Sequence, residues 1–227
     1  MVVIGGSSGM GKAVAKRAVA AGMVVTITGR GDDTLQEAAR ALGVADAQPI
    51  DIASEASIRE FFQRQGPVDH VVTSAAFVRP GPFKTGSTED ARTTFEGKFW
   101  SQYLVAKHAE IRRSMVFFSG VYSRRPAPGV SAVVAVNAAI EGLARALAVE
   151  LAPVRFNVIS PGLIQGTAAY NFMSEEQRQQ MFDATAKALP AGIVGDADSV
   201  AGLTLGLLES PYVTGTVVDI DGGGLLA

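Results

Sequence analysis

A glycine-rich turn near the start of the chain is the first feature whose residue types and spacing indicate a chemical function. Residues 5–11 (GGSSGMG) lie between a short apolar run and an alanine-rich stretch typical of a helix. Glycine lets backbone amides approach a bound group closely, and a helix that begins here directs free N–H groups at an anion. The spacing G-x-x-x-G-x-G differs from the common G-x-G-x-x-G, but its place between strand and helix predicts a dinucleotide diphosphate site. The candidate contacts are Gly5, Ser7, Ser8, Gly9, Met10 and Gly11.

The residue after the second predicted strand indicates which dinucleotide fits. A carboxylate at that place would bind a ribose 2′-hydroxyl and select NAD(H). Here Gly29 and Arg30 follow the apolar residues 23–28, and a guanidinium can pair with a 2′-phosphate. Asp32 and Asp33 lie further along and weaken this argument. The sequence favours NADP(H) over NAD(H).

Short apolar runs alternate with helical stretches along the whole chain, and these elements must position the turn and Arg30. Strands separated by helices of ten or more residues indicate β-α-β units and a parallel sheet covered on both faces. We expect an α/β fold: a single doubly wound Rossmann-type domain, residues 1–227, with a mainly parallel, about seven-stranded sheet. Residues 88–113 and 131–151 are predicted as two long helices, and residues 167–189 as a short lid.

Composition excludes several classes of protein. The net charge of −2 is evenly spread, so no nucleic-acid partner is predicted. The absence of cysteine excludes disulfides, zinc–thiolate sites and cysteine nucleophiles, and two histidines are too few for a histidine-rich metal site. We expect every apolar stretch to be interrupted before the roughly 18 residues of a membrane span. The first residues lack the pattern of a secretion signal, so a cytoplasmic protein is predicted.

Several further motifs give the chain a resemblance to the short-chain dehydrogenase/reductase family, over essentially its full length. The motifs are the glycine turn, Asp51-Ile52, residues 73–76 (TSAA), residues 157–162 (NVISPG), residues 212–215 (YVTG), residues 219–223 (DIDGG) and the helical residues 141–153. The resemblance implies that Asp51 and Ile52 contact adenine and that the Pro-Gly turn lies beside the nicotinamide. It adds these residues to the expected cofactor contacts: Asp51, Ile52, Ser74, Ala75, Ala76, Pro161, Gly162 and Ile164.

The catalytic positions of that family are not matched. Its members use a Tyr as proton donor, a Lys four residues later, a Ser that polarises the substrate carbonyl and an Asn that holds a water relay. The resemblance places Val133 at the Tyr, Asn137 at the Lys, Gly120 at the Ser and Lys98 at the Asn. Because general acid catalysis contributes about 10² to 10⁴ in rate, an ordinary ketoreductase with these residues would be slow.

A rearranged proton relay is one explanation of this pattern. Lys98, Ser119 and Tyr122 lie at or beside the expected site and are the candidate catalytic substitutes, while Tyr170 lies on the lid. A lysine in a dry pocket has a lowered pKa and can act as an acid or form a Schiff base.

Three functions remain open from the sequence. The first is an oxidoreductase that uses NADP(H) to reduce a small carbonyl or an activated double bond. The second is a catalytically inactive nucleotide-binding sensor or partner subunit, and the third is a non-redox lyase or isomerase. The family commonly forms dimers or tetramers through its two long helices, so the resemblance also implies a homo-oligomer, with Phe95, Phe99, Trp100 and Tyr103 available for its surface.

Overall fold

The fold is built from alternating strands and helices, as the apolar periodicity predicts. The computed structural model describes the backbone of residues 1–227 and every side chain except those of Asp32 and Ala169, so the argument on Asp32 lies outside the described residues. The strands are β1 (Val2–Ile4), β2 (Thr26–Gly29), β3 (Asp46–Pro49), β4 (Val68–Thr73), β5 (Ile111–Phe118), β6 (Arg155–Pro161) and β7 (Val217–Ile220). The helices are α1 (Gly9–Ala20), α2 (Asp32–Leu42), α3 (Glu55–Gln65), α4 (Thr88–Phe95), α5 (Ser101–His108), α6 (Ser131–Glu150), α7 (Glu175–Ala188) and α8 (Ala197–Glu209).

The seven strands form one sheet in the order β3-β2-β1-β4-β5-β6-β7, and every pair is parallel. This confirms the predicted α/β fold. Strand β1 pairs on one side with β2, Val3 opposite Ile27, and on the other with β4, Val3 opposite Val72. The chain therefore reverses its direction of winding between β1 and β4. In open parallel sheets this reversal leaves a crevice at the carboxyl ends of the strands, where ligands bind.

Each face of the sheet is covered by its own apolar core. On one face, α3, α5 and α6 bury side chains such as Phe61, Val105 and Ile140. On the other face, α1, α2 and α8 bury side chains that include Ala15 and Leu35. With both faces covered, the site can lie only at an edge or at the ends of the strands.

The prediction of one long helix over residues 88–113 is wrong at the C-terminal end. The middle of this stretch is helical, but it contains a π-helical turn. Helix α4 passes into a π-helical turn, Glu96–Trp100, before α5, and α5 ends at His108. Residues 111–113 belong to β5, since Ile111 pairs with Val68 of the neighbouring strand. This pairing outweighs the helical propensity of the local sequence. The π-turn is the segment that carries Lys98.

Helix α6 is, among the described residues, the one helix long and apolar enough to span a membrane by length and composition alone. Its apolar run is nevertheless interrupted by Glu141, Gly142 and Arg145, as expected from the sequence. Its residues Val136, Ile140 and Ala144 are fully buried against the sheet. A helix that covers a sheet meets the same compositional test, and this packing explains the apolar character of that face.

Candidate cofactor and active site

The glycine turn connects the end of β1 to the start of α1. The N–H groups of Gly5 and Gly6 donate to the Thr28 carbonyl oxygen, at 3.1 and 3.0 Å, which fixes the turn against β2. Gly5 and Gly9 adopt positive φ angles of 85° and 51°. Ser8 precedes α1, and its side chain does not cap the helix within the part of the structure described. The first N–H groups of α1 are thus available to an anion.

A close approach between β1 and β4 explains why glycine stands in the turn. A Cβ atom on Gly5 would lie 2.7 Å from the Ala75 nitrogen, and one on Gly11 would lie 2.2 Å from the Ser74 Oγ. The Ser74 hydroxyl donates to the Ile4 carbonyl oxygen at 3.1 Å. The turn can therefore pack this closely against the segment after β4 only with glycine at these two positions.

A cleft of about 620 Å³ opens at the reversal between β1 and β4. Its walls come from the glycine turn, the ends of β2 and β4, the loop after β3 and the segment after β6. Eleven of the predicted cofactor contacts line it: Gly5, Ser7, Ser8, Gly9, Met10, Gly11, Arg30, Ile52, Ser74, Ala75 and Ala76. The structure thus gathers the diphosphate turn and Arg30 in one cleft, together with the apolar Ile50 and Ile52 that could face an adenine.

Four predicted contacts stand outside the wall of this cleft. The Asp51 carboxylate accepts a hydrogen bond from the Ala53 N–H at 3.0 Å and closes a turn before α3. Pro161 ends β6, and the Gly162 N–H donates to the Ile220 carbonyl oxygen of β7 at 2.9 Å. Ile164 is buried and bridges to Gly195. Their roles toward adenine and nicotinamide stay predictions.

The predicted lid contributes to the cleft and carries two aromatic rings of different exposure. Thr167, Ala168 and Phe172 line the cleft, and Phe172 is 84% exposed. The ring of Tyr170 packs edge-on against Phe182 at 5.9 Å. Burial, and to a smaller extent the neighbouring Tyr122, raises the pKa of Tyr170 above its ordinary value. Tyr170 therefore holds its phenolic proton more tightly than a free tyrosine.

The end of β5 brings together the four residues that the resemblance places at the family's catalytic positions. The Lys98 ammonium donates to the Ser119 carbonyl oxygen at 2.8 Å, and the Asn137 amide donates to the next carbonyl oxygen, that of Gly120, at 3.1 Å. Val133 is buried on α6, one turn before Asn137. A Cβ atom on Gly120 would lie 3.1 Å from the Asn137 nitrogen. Of these groups, only Lys98 can release a proton near neutral pH.

Desolvation makes the Lys98 ammonium more acidic than a free lysine. It lowers the pKa of the Lys98 ammonium from 10.5 to about 8, because the charged form loses hydration. An ammonium with a pKa near 8 is charged at neutral pH and still gives up a proton readily.

The backbone of Lys98 is tied to the sheet by Gln102, which sequence analysis missed. The Gln102 amide donates to the carbonyl oxygens of Lys98 and Phe118, at 3.1 and 3.0 Å. Its oxygen accepts from the Thr73 hydroxyl at 2.8 Å and from the Phe118 N–H at 3.0 Å. Gln102 is 1% exposed in the structure, and no signal in the sequence alone identifies these contacts.

A second buried network, centred on Glu141 of α6, engages the hydroxyl of Ser119. Glu141 accepts from Ser119 at 3.1 Å and from Ser123 at 2.6 Å, and the Arg124 guanidinium lies 3.7 Å away. Arg124 also donates to the Ser160 hydroxyl at 2.8 Å and pairs with Asp219. The Ser119 side chain therefore belongs to this network, whereas Lys98 contacts its backbone. Tyr122, on the short helix between Ser119 and Arg124, is 42% exposed.

Among the described residues, no group of three or more His, Asp or Glu side chains could hold a metal ion. The glycine turn fits the diphosphate of a dinucleotide: its glycines allow close packing against Ser74 and Ala75, and the N-terminus of α1 begins in the turn. The fold and the site define a nucleotide-binding α/β protein of the doubly wound class.

Comparisons with known proteins identify the family. Residues 5–224 match the family model described as enoyl-(acyl carrier protein) reductase. The chain is 31% identical to a bovine (Bos taurus) 3-oxoacyl-[acyl-carrier-protein] reductase over 97% of its length and 95% of that protein. It is 28% identical to the short-chain dehydrogenase/reductase malC of Malbranchea aurantiaca, over 100% of the chain and 94% of that protein. The protein belongs to the short-chain dehydrogenase/reductase family.

Solved structures agree with this assignment. A small-chain dehydrogenase in complex with NADPH is 34% identical, with a TM-score of 0.86 and coverage of 100% of this chain and 98% of the other. The MalC reductase/Diels-Alderase from Malbranchea aurantiaca is 27% identical, with a TM-score of 0.92 and coverage of 100% and 96%. The resemblance seen in the sequence motifs is confirmed over the whole chain.

Proposed function

We propose that the protein is an NADP(H)-dependent reductase of a small carbonyl compound or an activated double bond. The observation that carries this proposal is the single cleft that holds both the glycine turn and Arg30. The NADPH complex of a 34% identical structure supports the same cofactor. When bound, the reduced nicotinamide supplies a hydride, and the chain's own residues bind, orient and shield the reactants.

The preference for NADP(H) rests on the surroundings of Arg30. Arg30 is exposed at the rim of the cleft, directly after β2. A Cβ atom on the preceding Gly29 would lie 2.8 Å from the Ser7 hydroxyl, so Ser7 and Arg30 flank the same small space. A guanidinium and a hydroxyl donor at this place suit a 2′-phosphate.

A nucleotide-binding protein without catalytic activity is the second candidate function. The specific observation in its favour is that Val133 and Asn137 occupy the Tyr and Lys positions and are both buried, with Asn137 bonded to Gly120. A protein of this kind binds the cofactor and leaves every acceptor unreduced.

An acceptor screen separates the two candidates. NADPH consumption is followed with a simple aldehyde, a β-keto ester, a conjugated enone and a quinone, each against a no-acceptor blank. Reduction of at least one acceptor, abolished by a Gly11→Ala variant that cannot form the cradle, supports the reductase. NADPH binding without reduction of any of the four supports the non-catalytic function.

We also propose that the protein forms a homo-oligomer through α6 and the α4–α5 segment. Trp100 is 41% exposed and packs edge-on against Phe99 and Tyr103, at 5.3 and 5.4 Å. Val149 of α6 is 82% exposed. Light scattering should give a mass above that of one chain, and a Trp100→Lys variant should shift it toward the monomer. A wild-type protein that elutes as a monomer contradicts the proposal.

A further inference from the structure

Lys98 has fewer hydrogen-bond partners than a buried ammonium requires. Its Nζ donates to the Ser119 carbonyl oxygen at 2.8 Å, and this is its one side-chain hydrogen bond among the described residues. An ammonium carries three N–H donors, and leaving donors of a desolvated charge unpaired is costly. The two remaining N–H donors of Lys98 have no hydrogen-bond partner among the described residues.

No carboxylate among the described side chains forms an ion pair with Lys98. Lys98 binds the backbone of Ser119, and Glu141 is the carboxylate that accepts a hydrogen bond from the Ser119 hydroxyl. Glu141 also lies 3.7 Å from the Arg124 guanidinium. The negative charge of Glu141 is therefore satisfied elsewhere, and burial acts on the pKa of Lys98 without a counter-ion that would raise it. A half-buried cation without an ion-pair partner stabilises an anion that enters or develops beside it.

The position of Lys98 is fixed rather than free to withdraw. Gln102 binds the Lys98 carbonyl oxygen and the strand β5 together, through the contacts with Phe118 and Thr73. The segment that carries Lys98 is the π-turn, and such turns are frequent at functional sites. The carboxyl end of β5, where the ammonium is held, lies at the same edge of the parallel sheet as the glycine turn.

The other groups at this end of β5 cannot perform the same task. Gly120 has no side chain, and Val133 is apolar. The Asn137 amide already donates a hydrogen bond to the Gly120 carbonyl oxygen. Among these four positions the one charged donor is Lys98, which comes from the π-turn rather than from α6.

We propose that the Lys98 ammonium binds the substrate oxygen that becomes negative during reduction, and that it protonates an alkoxide formed there. This inference rests on the proposed function and narrows its substrate class to carbonyl compounds, either simple or conjugated with the reduced double bond. A cationic acceptor, such as an iminium ion, is disfavoured because it would meet a like charge.

For a ketone or aldehyde, the carbonyl carbon would gain a C–H bond from the hydride of NADPH, which would be oxidised to NADP⁺, while the carbonyl π electrons move to the oxygen. An N–H bond of Lys98 breaks as the O–H bond of the alcohol forms, and the neutral amine regains a proton from water. For a conjugated carbonyl the hydride adds to the β-carbon, Lys98 stabilises the enolate oxygen, and water supplies the α-carbon proton.

A phenolate probe tests this inference without a known substrate. Para-nitrophenol absorbs visible light strongly only as the phenolate, which resembles an enolate in charge and geometry. Wild-type protein, with and without NADP⁺, should bind the phenolate and shift its ionisation to lower pH. The Lys98→Met variant should bind it about 10- to 100-fold more weakly, the effect of one charged hydrogen bond.

Two further variants separate charge from structure. Lys107→Met removes an exposed lysine of α5 that pairs with Glu55 at 3.3 Å, and it should bind the phenolate like the wild type. Lys98→Arg keeps the charge at every accessible pH. The wild type should lose phenolate affinity above about pH 8, where Lys98 becomes neutral, whereas Lys98→Arg should retain it.

The outcomes distinguish the inference from the function on which it rests. Equal phenolate affinity in the wild type and Lys98→Met overturns the role of Lys98, and so does a wild type that fails to bind the probe. If Lys98→Met does not fold, Lys98→Arg provides the test. Phenolate affinity that no longer falls above about pH 8 in Lys98→Arg supports the inference, whereas the same fall as in the wild type overturns it. Failure of NADP⁺ to bind, measured in the same samples, overturns the proposed reductase.

Discussion

Lys98 and Asn137 bind two consecutive carbonyl oxygens at the end of β5. The Lys98 ammonium holds that of Ser119 at 2.8 Å, and the Asn137 amide holds that of Gly120 at 3.1 Å. The positive charge at this site therefore comes from the π-turn before α5 rather than from α6.

Arg30 should determine the choice between the two nicotinamide cofactors. Replacing Arg30 with Ala removes a guanidinium–phosphate contact, which is worth about 10- to 100-fold in affinity. NADPH binding should weaken by that factor, while NADH binding stays within about twofold, in a fluorescence titration. Arg40→Ala, at an exposed position of α2, is the matched control and should change neither. An equal loss for both cofactors would contradict the role of Arg30.

Gly11 should tolerate no side chain. A Cβ atom there would lie 2.2 Å from both the Gly5 carbonyl oxygen and the Ser74 Oγ, so Gly11→Ala must displace the turn. We expect loss of NADPH binding and a lower free energy of unfolding. The control is Gly206→Ala, at an exposed position of α8, where nothing lies within 4 Å of the added Cβ. That change should stabilise the protein by about 0.5–1 kcal/mol. Unchanged NADPH affinity in Gly11→Ala would refute the cradle geometry.

Gln102 should be one of the most sensitive polar positions of the core. Gln102→Leu leaves the Thr73 hydroxyl and the Phe118 N–H without their shared acceptor. Each unsatisfied buried group costs about 1–3 kcal/mol, so we expect the free energy of unfolding to fall by about 2–5 kcal/mol in urea denaturation. Gln180→Leu on exposed α7 should change it by less than about 0.5 kcal/mol. A change of less than about 0.5 kcal/mol in the free energy of unfolding of Gln102→Leu would show that the contacts of Gln102 with Thr73 and Phe118 do not stabilise the protein.

His70 should make stability fall in mild acid. Its ring lies 2.9 Å from the Ser114 hydroxyl, and burial, reinforced by Arg113, lowers its pKa from 6.5 to about 4. Between these values the unfolded chain takes up a proton that the folded chain does not, so unfolding becomes more favourable as pH decreases. The contribution is fully present above pH 6.5 and is lost between pH 6.5 and about 4. Its upper limit is about 3 kcal/mol.

Urea denaturation between pH 7.5 and 5 measures this effect. The decline in stability should be smaller in His70→Gln, and His108→Gln, which removes a histidine paired with Glu55 on the surface, should retain it. Identical pH slopes for His70→Gln and the wild type would mean that His70 is not the group responsible.

The sequence predicts the architecture well because the signals involved are local. Periodicity identifies strands and helices, and glycine spacing identifies the turn at residues 5–11, since backbone approach requires small residues there. The extent of the helix after residue 88 could not be predicted, because strand pairing between Val68 and Ile111 decides it. Long-range register of this kind leaves no trace in the local composition.

The sequence predicts the residues that line the cofactor cleft better than it predicts the contacts at the end of β5. Arg30 follows a strand end, which a sequence pattern can locate. Gln102 and Glu141 act through contacts with strands distant along the chain, and only the folded structure shows which groups they satisfy. Lys98 could be named from its helix position, but the carbonyl oxygen that it binds depends on the packing of the π-turn against β5.

Calorimetric titration with NADPH, and in parallel with NADH, tests the central claim most directly. The account predicts a single NADPH site of micromolar affinity and at least about tenfold weaker binding of NADH, the difference expected from one charged hydrogen bond. Absence of heat with either nucleotide, for a folded protein, would contradict it. The glycine turn would then be a structural connection only, and the ligand of the cleft would have to be sought outside the nicotinamide dinucleotides.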